Sequence, residues 1–184
     1  PDFPMNANST LAVPIARPLW RDRALVLIGI AMSAFNLRTA VTSLTPLLDS
    51  LGETFGFGST MTGVLGMVPP AAYALYGVVT PAIAHRLGLE RTALLSMALA
   101  ALGLLARAFV GDTSMLLLTS AVALSGMGRG NVVLPPLVKR YFGDRVGTVS
   151  TLYITVLQLG TILPALLAVP IAQAAGWRVS LGAW

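Results

Sequence analysis

Residues 146–174 read VGTVSTLYITVLQLGTILPALLAVPIAQA, from Val146 to Ala174, and hold no charged side chain. A helix rising about 1.5 Å per residue needs roughly 20 apolar residues to cross a bilayer's hydrocarbon core. This run is longer. Its apolar residues are continuous and do not alternate with period two, and it exceeds the length of a barrel strand, so it reads as a membrane-crossing helix. Four comparable runs precede it, at 24–51, 61–84, 92–110 and 115–138, and a sixth begins near Arg178 and is cut off at Trp184.

The composition agrees with an all-α membrane protein. Of 184 residues, 55% are hydrophobic and 10% charged, against about 25% charged in an ordinary soluble domain. The connections, such as Gly111-Asp112-Thr113-Ser114, are short enough that neighbouring spans must pair as antiparallel hairpins. Residues 23–184 are therefore expected to form one transmembrane bundle. Residues 1–22, polar and carrying Pro4, Pro14 and Pro18, read as a tail and not a signal peptide, because the following apolar run is too long for an h-region. The chain starts at Pro1 and stops within an apolar run, which reads as part of a longer protein.

Charge sets the expected orientation. Arg17, Arg21 and Arg23 in the tail, Arg86 and Arg91 after the second run, and Lys139, Arg140 and Arg145 after the fourth all fall on one side under alternation. Asp49, Glu53, Asp112 and one cation, Arg178, fall on the other. The positive-inside rule then puts the N-terminus in the cytoplasm, as in a bacterial-type cytoplasmic (inner) membrane protein. This sorting also argues against nucleic acid as the partner of the net charge of +5; the expected partners are the lipid bilayer and a small-molecule substrate.

Three cations remain inside spans: Arg38, Arg107 and Arg129. Arg107, near the end of its run, is expected to snorkel to the outer interface. Arg38 lies about 21 Å along its helix, where a cation costs at least ~2.5 kcal/mol and normally faces the bundle interior or a water-filled cavity. Arg38, Thr42, Thr45 and Asp49 recur at i, i+4, i+7 and i+11, one helical stripe, with Asn36 and Ser43 expected to widen it. Pro46 should leave the Thr42 carbonyl unpaired and bend the helix there. A forked guanidinium in that setting suits an anionic or strongly polar substrate; the alternative is a residue bonded to carbonyls of a neighbouring helix.

In Gly126-Met127-Gly128-Arg129-Gly130-Asn131 the glycines lie inside a bilayer-length helix with no preceding strand, so close helix packing is a better reading than a nucleotide loop. Arg129 and Asn131 are both candidate ligands, but about 200° apart around the helix, so one should have a structural job. Thr151, Thr155 and Gln158 share a line, with Tyr153 off it; Gln158 and Tyr153 are further candidates. Tyr73 and Tyr76 could meet a ligand or pack internally, and Met67 reads as core.

No nucleophile–base pair, carboxylate pair or metal-ligand cluster appears, so an enzyme is not expected. The absence of cysteine excludes a disulfide or thiolate metal site, and no cofactor or metal is implied. No Asp or Glu lies mid-span, so a coupling ion finds no obvious buried carboxylate here.

Asn36-Leu37-Arg38 with Ala40-Val41-Thr42-Ser43 and Pro46-Leu47-Leu48 resembles the first helix of the cyanate and 2-nitroimidazole transporter family within the major facilitator superfamily. Gly130-Asn131-Val132-Val133-Leu134-Pro135, Lys139-Arg140, Phe142 and Asp144-Arg145-Val146-Gly147 resemble its fourth helix and following loop. Leu152-Tyr153, Gly160, Val169-Pro170 and Gly176-Trp177-Arg178 resemble its fifth helix and the approach to the sixth. In the superfamily's loop signature, Arg86, Gly88 and Arg91 match. Pro81 stands at the first glycine and His85 at the acid, and Thr39 and Arg129 also depart from the pattern.

The resemblance implies a twelve-helix transporter of two six-helix halves working by alternating access. This chain would be most of the first half, with a truncated sixth helix and the C-terminal half of the same transporter as partner. It implies that the first and fourth helices line the path and that His85, Arg86, Gly88 and Arg91 form a gating loop. Secondary active transport of a small anionic or polar organic solute, held by Arg38, is the leading expectation. Drug or multidrug efflux, and a six-helix channel-like protein, are the alternatives.

Overall fold

The computed structural model describes residues 23–184 and carries helix almost throughout: α1 (Ala24–Asn36), α2 (Thr39–Leu44), a 3-10 turn (Thr45–Leu47), α3 (Leu48–Phe55), α4 (Ser59–Leu87), α5 (Leu89–Arg107), α6 (Thr113–Tyr141), α7 (Val146–Ala175) and α8 (Trp177–Gly182). The expectation for the tail at 1–22 lies outside the described residues. Five stretches are long and apolar enough to cross a membrane: Ala24–Phe55, which comprises α1 to α3, and then α4, α5, α6 and α7. No strand is present among the described residues.

Short connections force the hairpins. A single residue, Gly88, separates α4 from α5, at φ 87°, a backbone region that favours glycine. At the α5–α6 turn the Asp112 carboxylate accepts from the Met115 N–H at 2.7 Å and caps α6.

The helix α6 is the centre of the bundle, with 61% of its most apolar window buried against 6% for α4 and 17% for α7. Lipid offers apolar side chains nearly the same environment as a protein interior, so close approach and van der Waals contact must hold these helices together. The α5–α6 seam uses small residues for this. A Cβ on Gly103 would collide with the backbone of Ala123, and one on Gly126 with the Ser96 carbonyl and the Ala100 nitrogen. Likewise α7 meets α1 at Gly160, directly over the Phe35 backbone.

The first span is not one bent helix. The structure breaks it at Leu37-Arg38, between α1 and α2, and again as a 3-10 turn around Pro46. The second interruption is the one proline dictates. The first has a different cause: the Thr39 hydroxyl donates to both the carbonyl and the Oδ1 of Asn36, each at 3.1 Å, an alternative to helical pairing.

At the end of the bundle that carries Arg23, polar contacts join the helices. Arg23 donates to both Asp144 carboxylate oxygens at 2.7 and 3.1 Å and to the Tyr141 carbonyl at 2.7 Å, with its guanidinium 5.1 Å from the centre of the Phe142 ring. The same pairing holds the Asp144 carboxyl at about 2, well below its ordinary 3.8, chiefly through the Arg23 hydrogen bonds. Beside it, Glu90 accepts from the Tyr141 hydroxyl at 3.0 Å and pairs with Arg140 at 3.2 Å.

Candidate functional site

The Leu37-Arg38 break lies near the middle of the 32-residue stretch Ala24–Phe55, and two other helices hold its backbone. On one side of Arg38, the Tyr73 hydroxyl of α4 donates to the Leu37 carbonyl at 3.1 Å. On the other, Arg107 of α5 donates through Nη1 to the Ala40 carbonyl at 2.7 Å and through Nε to Ser120 of α6 at 3.1 Å. Leu37 itself is buried, pressed on Gly130 of α6, where a Cβ would stand 2.5 Å from its Cδ2. The Arg38 side chain, by contrast, is exposed, and among the described residues it has no hydrogen bond or ion pair.

Arg107 corrects the sequence reading. It does not snorkel; it is fully buried, 0% exposed, and one Nη lacks any partner among the described residues. A signal was present in the sequence. Ser96, Ala100, Gly103 and Arg107 follow one another at helical spacing and are all buried, so the small-residue stripe that marks the α6-facing side of α5 runs straight into the arginine.

The other candidates divide. Thr42 and Thr45 stay on the Arg38 side of the helix, with Thr42 donating to the Arg38 carbonyl at 3.0 Å and Thr45 to the Val41 carbonyl at 2.8 Å. Asn36 and Ser43 do not join them: Asn36 ends α1, before the break, and Ser43, one residue from Thr42 on α2, is turned about 100° away from it. Asn36 instead lines a cavity of about 340 Å³ between α1 and α5 with Met32, Ser33 and Met97, and donates to the Trp184 carbonyl at 3.1 Å. Ser43 is fully buried, with no partner for its hydroxyl among the described residues.

On α6, Arg129 lies with its guanidinium carbon 4.4 Å from the centre of the Tyr76 ring of α4 and donates to the Ser125 carbonyl at 3.0 Å. Asn131 bonds to its own helix, at the Met127 carbonyl, 3.3 Å away. Tyr73 and Tyr76, one turn apart on α4, thus meet the Arg38 turn and Arg129 respectively. Gly128 makes room for this: a Cβ there would come within 3.0 Å of the Tyr76 Cβ. On α7, Tyr153 packs against the apolar cluster that includes Leu27, Ile30, Leu37 and Leu134. Gln158 is exposed, within a turn of Gly160 and so at the level of Phe35. His85 and Arg86 form the exposed last turn of α4, and Arg91 is exposed at the start of α5. Among the described residues no group of three metal-ligating side chains occurs.

The arrangement can hold an anion or a strongly polar solute at a guanidinium whose backbone is fixed and whose donors have no partner among the described residues. It offers no nucleophile or general base at that point.

Comparison with known proteins gives this geometry a context. The chain is 32% identical over 158 residues to "Uncharacterized transporter YycB" of Bacillus subtilis (strain 168), covering 85% of this chain and 39% of that protein. It is 30% identical over 162 residues to "2-nitroimidazole transporter" of Escherichia coli (strain K12), covering 88% and 41%. A third relative, "Cyanate transport protein CynX" of the same organism, is 27% identical over 161 residues, covering 87% and 41%. The chain therefore spans about two fifths of the length of these relatives. No solved structure matches it significantly. The family description Major Facilitator Superfamily fits residues 13–184, and with five membrane-length apolar stretches, α6 at their centre, the chain belongs to the major facilitator superfamily of membrane transporters.

Proposed function

We propose that the protein serves secondary active transport of a small anionic or polar organic solute by alternating access, with Arg38 holding the substrate near mid-membrane. The observation that carries this is the exposed Arg38 side chain, unpaired among the described residues, on a turn held by its neighbours. A cation at that depth is too costly to keep without a counterpart, and a planar five-donor fork suits a small anion or a polarised ring. Two relatives bear the names of a 2-nitroimidazole and a cyanate transporter, which fits a solute of that size and polarity.

In this reading Thr42, Thr45, Arg129 and Gln158 contribute with Arg38 to the substrate path, and His85, Arg86, Gly88 and Arg91 belong to a gating loop. In this reading the segment works with a C-terminal half in a cytoplasmic membrane, its N-terminus in the cytoplasm. A coupling ion is part of the proposal, and this segment offers it no mid-span carboxylate.

Uptake of radiolabelled cyanate and 2-nitroimidazole into proteoliposomes by the full-length protein tests it. Losing a charged hydrogen-bonding partner should lower kcat/KM for Arg38→Ala by about 10- to 100-fold, and Arg38→Lys should recover part of that. Wild-type uptake by Arg38→Ala at equal abundance would remove Arg38 from the mechanism.

A further inference from the structure

We propose that Tyr73 and Arg107 are positioning residues that clamp the turn on which Arg38 stands. The two side chains reach the break from different helices and take the carbonyls that bracket Arg38: Leu37 immediately before it, at 3.1 Å, and Ala40 two residues after it, at 2.7 Å. The Leu37 carbonyl needs such a partner, because it follows the last residue of α1, loses its own ladder and cannot turn to water within a bilayer, whereas the Ala40 carbonyl lies inside α2 and takes the guanidinium as a second donor on its other lone pair. Arg107 is an expensive choice for this job. It is fully buried, and neither ion pair of the described residues involves it, although a neutral donor could bond a single carbonyl. What a guanidinium adds is reach in two directions: Nε is fixed to Ser120 on α6 while Nη1 holds Ala40 on α2, so the turn is tied to the α5–α6 seam, the most tightly packed part of the bundle. Tyr73 is anchored through α4 in the same way. The result is a rigid backbone under a free side chain, the arrangement that lets a binding group meet its ligand without first being ordered.

The functional half of this inference rests on the reading of Arg38 as the substrate contact, so two measurements on the full-length protein separate them. In the first, a nitroxide label is placed at Arg38→Cys, and separately at Thr45→Cys, in a cysteine-free background. Tyr73→Phe and Arg107→Met should each raise the mobility of the label at 38 in the electron paramagnetic resonance spectrum and leave that at 45 unchanged. A general loosening of the bundle would move both, and no change at 38 would overturn the clamp.

In the second, equilibrium binding of radiolabelled cyanate is measured with Arg38 intact. Tyr73→Phe and Arg107→Met should weaken it about three- to tenfold, the equivalent of one hydrogen bond each, and Arg107→Lys should restore part of the loss because an ammonium still donates to one carbonyl. Tyr73→Phe keeps the shape of the side chain, so it remains informative if Arg107→Met fails to fold. Unchanged affinity in Tyr73→Phe, in a protein where Arg38→Ala does weaken binding, would overturn the positioning role alone. Unchanged affinity in Arg38→Ala would instead remove the functional reading beneath it.

Discussion

Adding one methyl group at Gly126 tests whether close backbone approach holds the bundle together. In Gly126→Ala the new Cβ would stand 2.5 Å from the Ala100 nitrogen and closer still to the Ser96 carbonyl oxygen, where ordinary contact begins at 3.4 Å. The obstacle is backbone on both counts, so no side chain can swing aside. The helices α5 and α6 must separate by about 1 Å, and a gap of that size forfeits roughly a quarter to a half of the dispersion energy of each atom pair across the seam. Overpacking of this kind costs about 1–3 kcal/mol. Alanine returns ~1 kcal/mol as the better helix former, which leaves a net loss of up to about 2 kcal/mol.

Gly63→Ala on α4 supplies the control, since a Cβ there meets nothing within 4 Å and keeps only the helix-forming gain. The assay is thermal denaturation of the full-length protein in detergent, followed by tryptophan fluorescence and by the fraction that stays monodisperse. Gly126→Ala should melt several degrees below wild type and Gly63→Ala at or slightly above it. Equal melting of the two would refute the packing argument, because only the space around the new methyl group distinguishes them.

Acid should act on the Arg23–Asp144 pair. Folding depresses the Asp144 carboxyl from 3.8 to about 2, so its contribution is present above pH 4 and is lost as pH falls from 4 toward 2; melting curves at pH 7 and 4.5 should not separate wild type from Asp144→Asn by slope, and only the wild type should show this added loss below pH 4. The orientation is checked by single cysteines at His85 and Gly111 in a cysteine-free full-length background: a membrane-impermeant maleimide applied outside should label position 111 and spare 85, and the reverse would invert the topology.

How far the chain could be read before folding depended on whether the deciding residue was local. The spans were legible because apolar length alone decides them, and the glycines of α6 because a bilayer-length helix leaves packing as their use. The break at Leu37-Arg38 was not, since neither residue is a helix breaker and Pro46, nine residues after Leu37, drew the attention; the Thr39 side chain and the pocket at Gly130 make the break together. Arg107 was misread for a related reason. Its depth from the helix end fits snorkelling, and only its angular position on the Ser96, Ala100, Gly103 stripe, set against an α6 partner, reveals that it points inward. Arg38 was legible as an oddity, but the two donors that hold its turn come from distant helices and have no local trace.

The buried Arg107 also bears on how the chain is made. A cation leaving the insertion machinery on α5 alone would face lipid; its Ala40 partner has already been synthesised, but Ser120 follows only 13 residues later, across the short turn capped by Asp112. The third and fourth spans should therefore enter the membrane as a single hairpin, and the order of synthesis, first span before that hairpin, delivers each partner of the guanidinium by the time it must leave water.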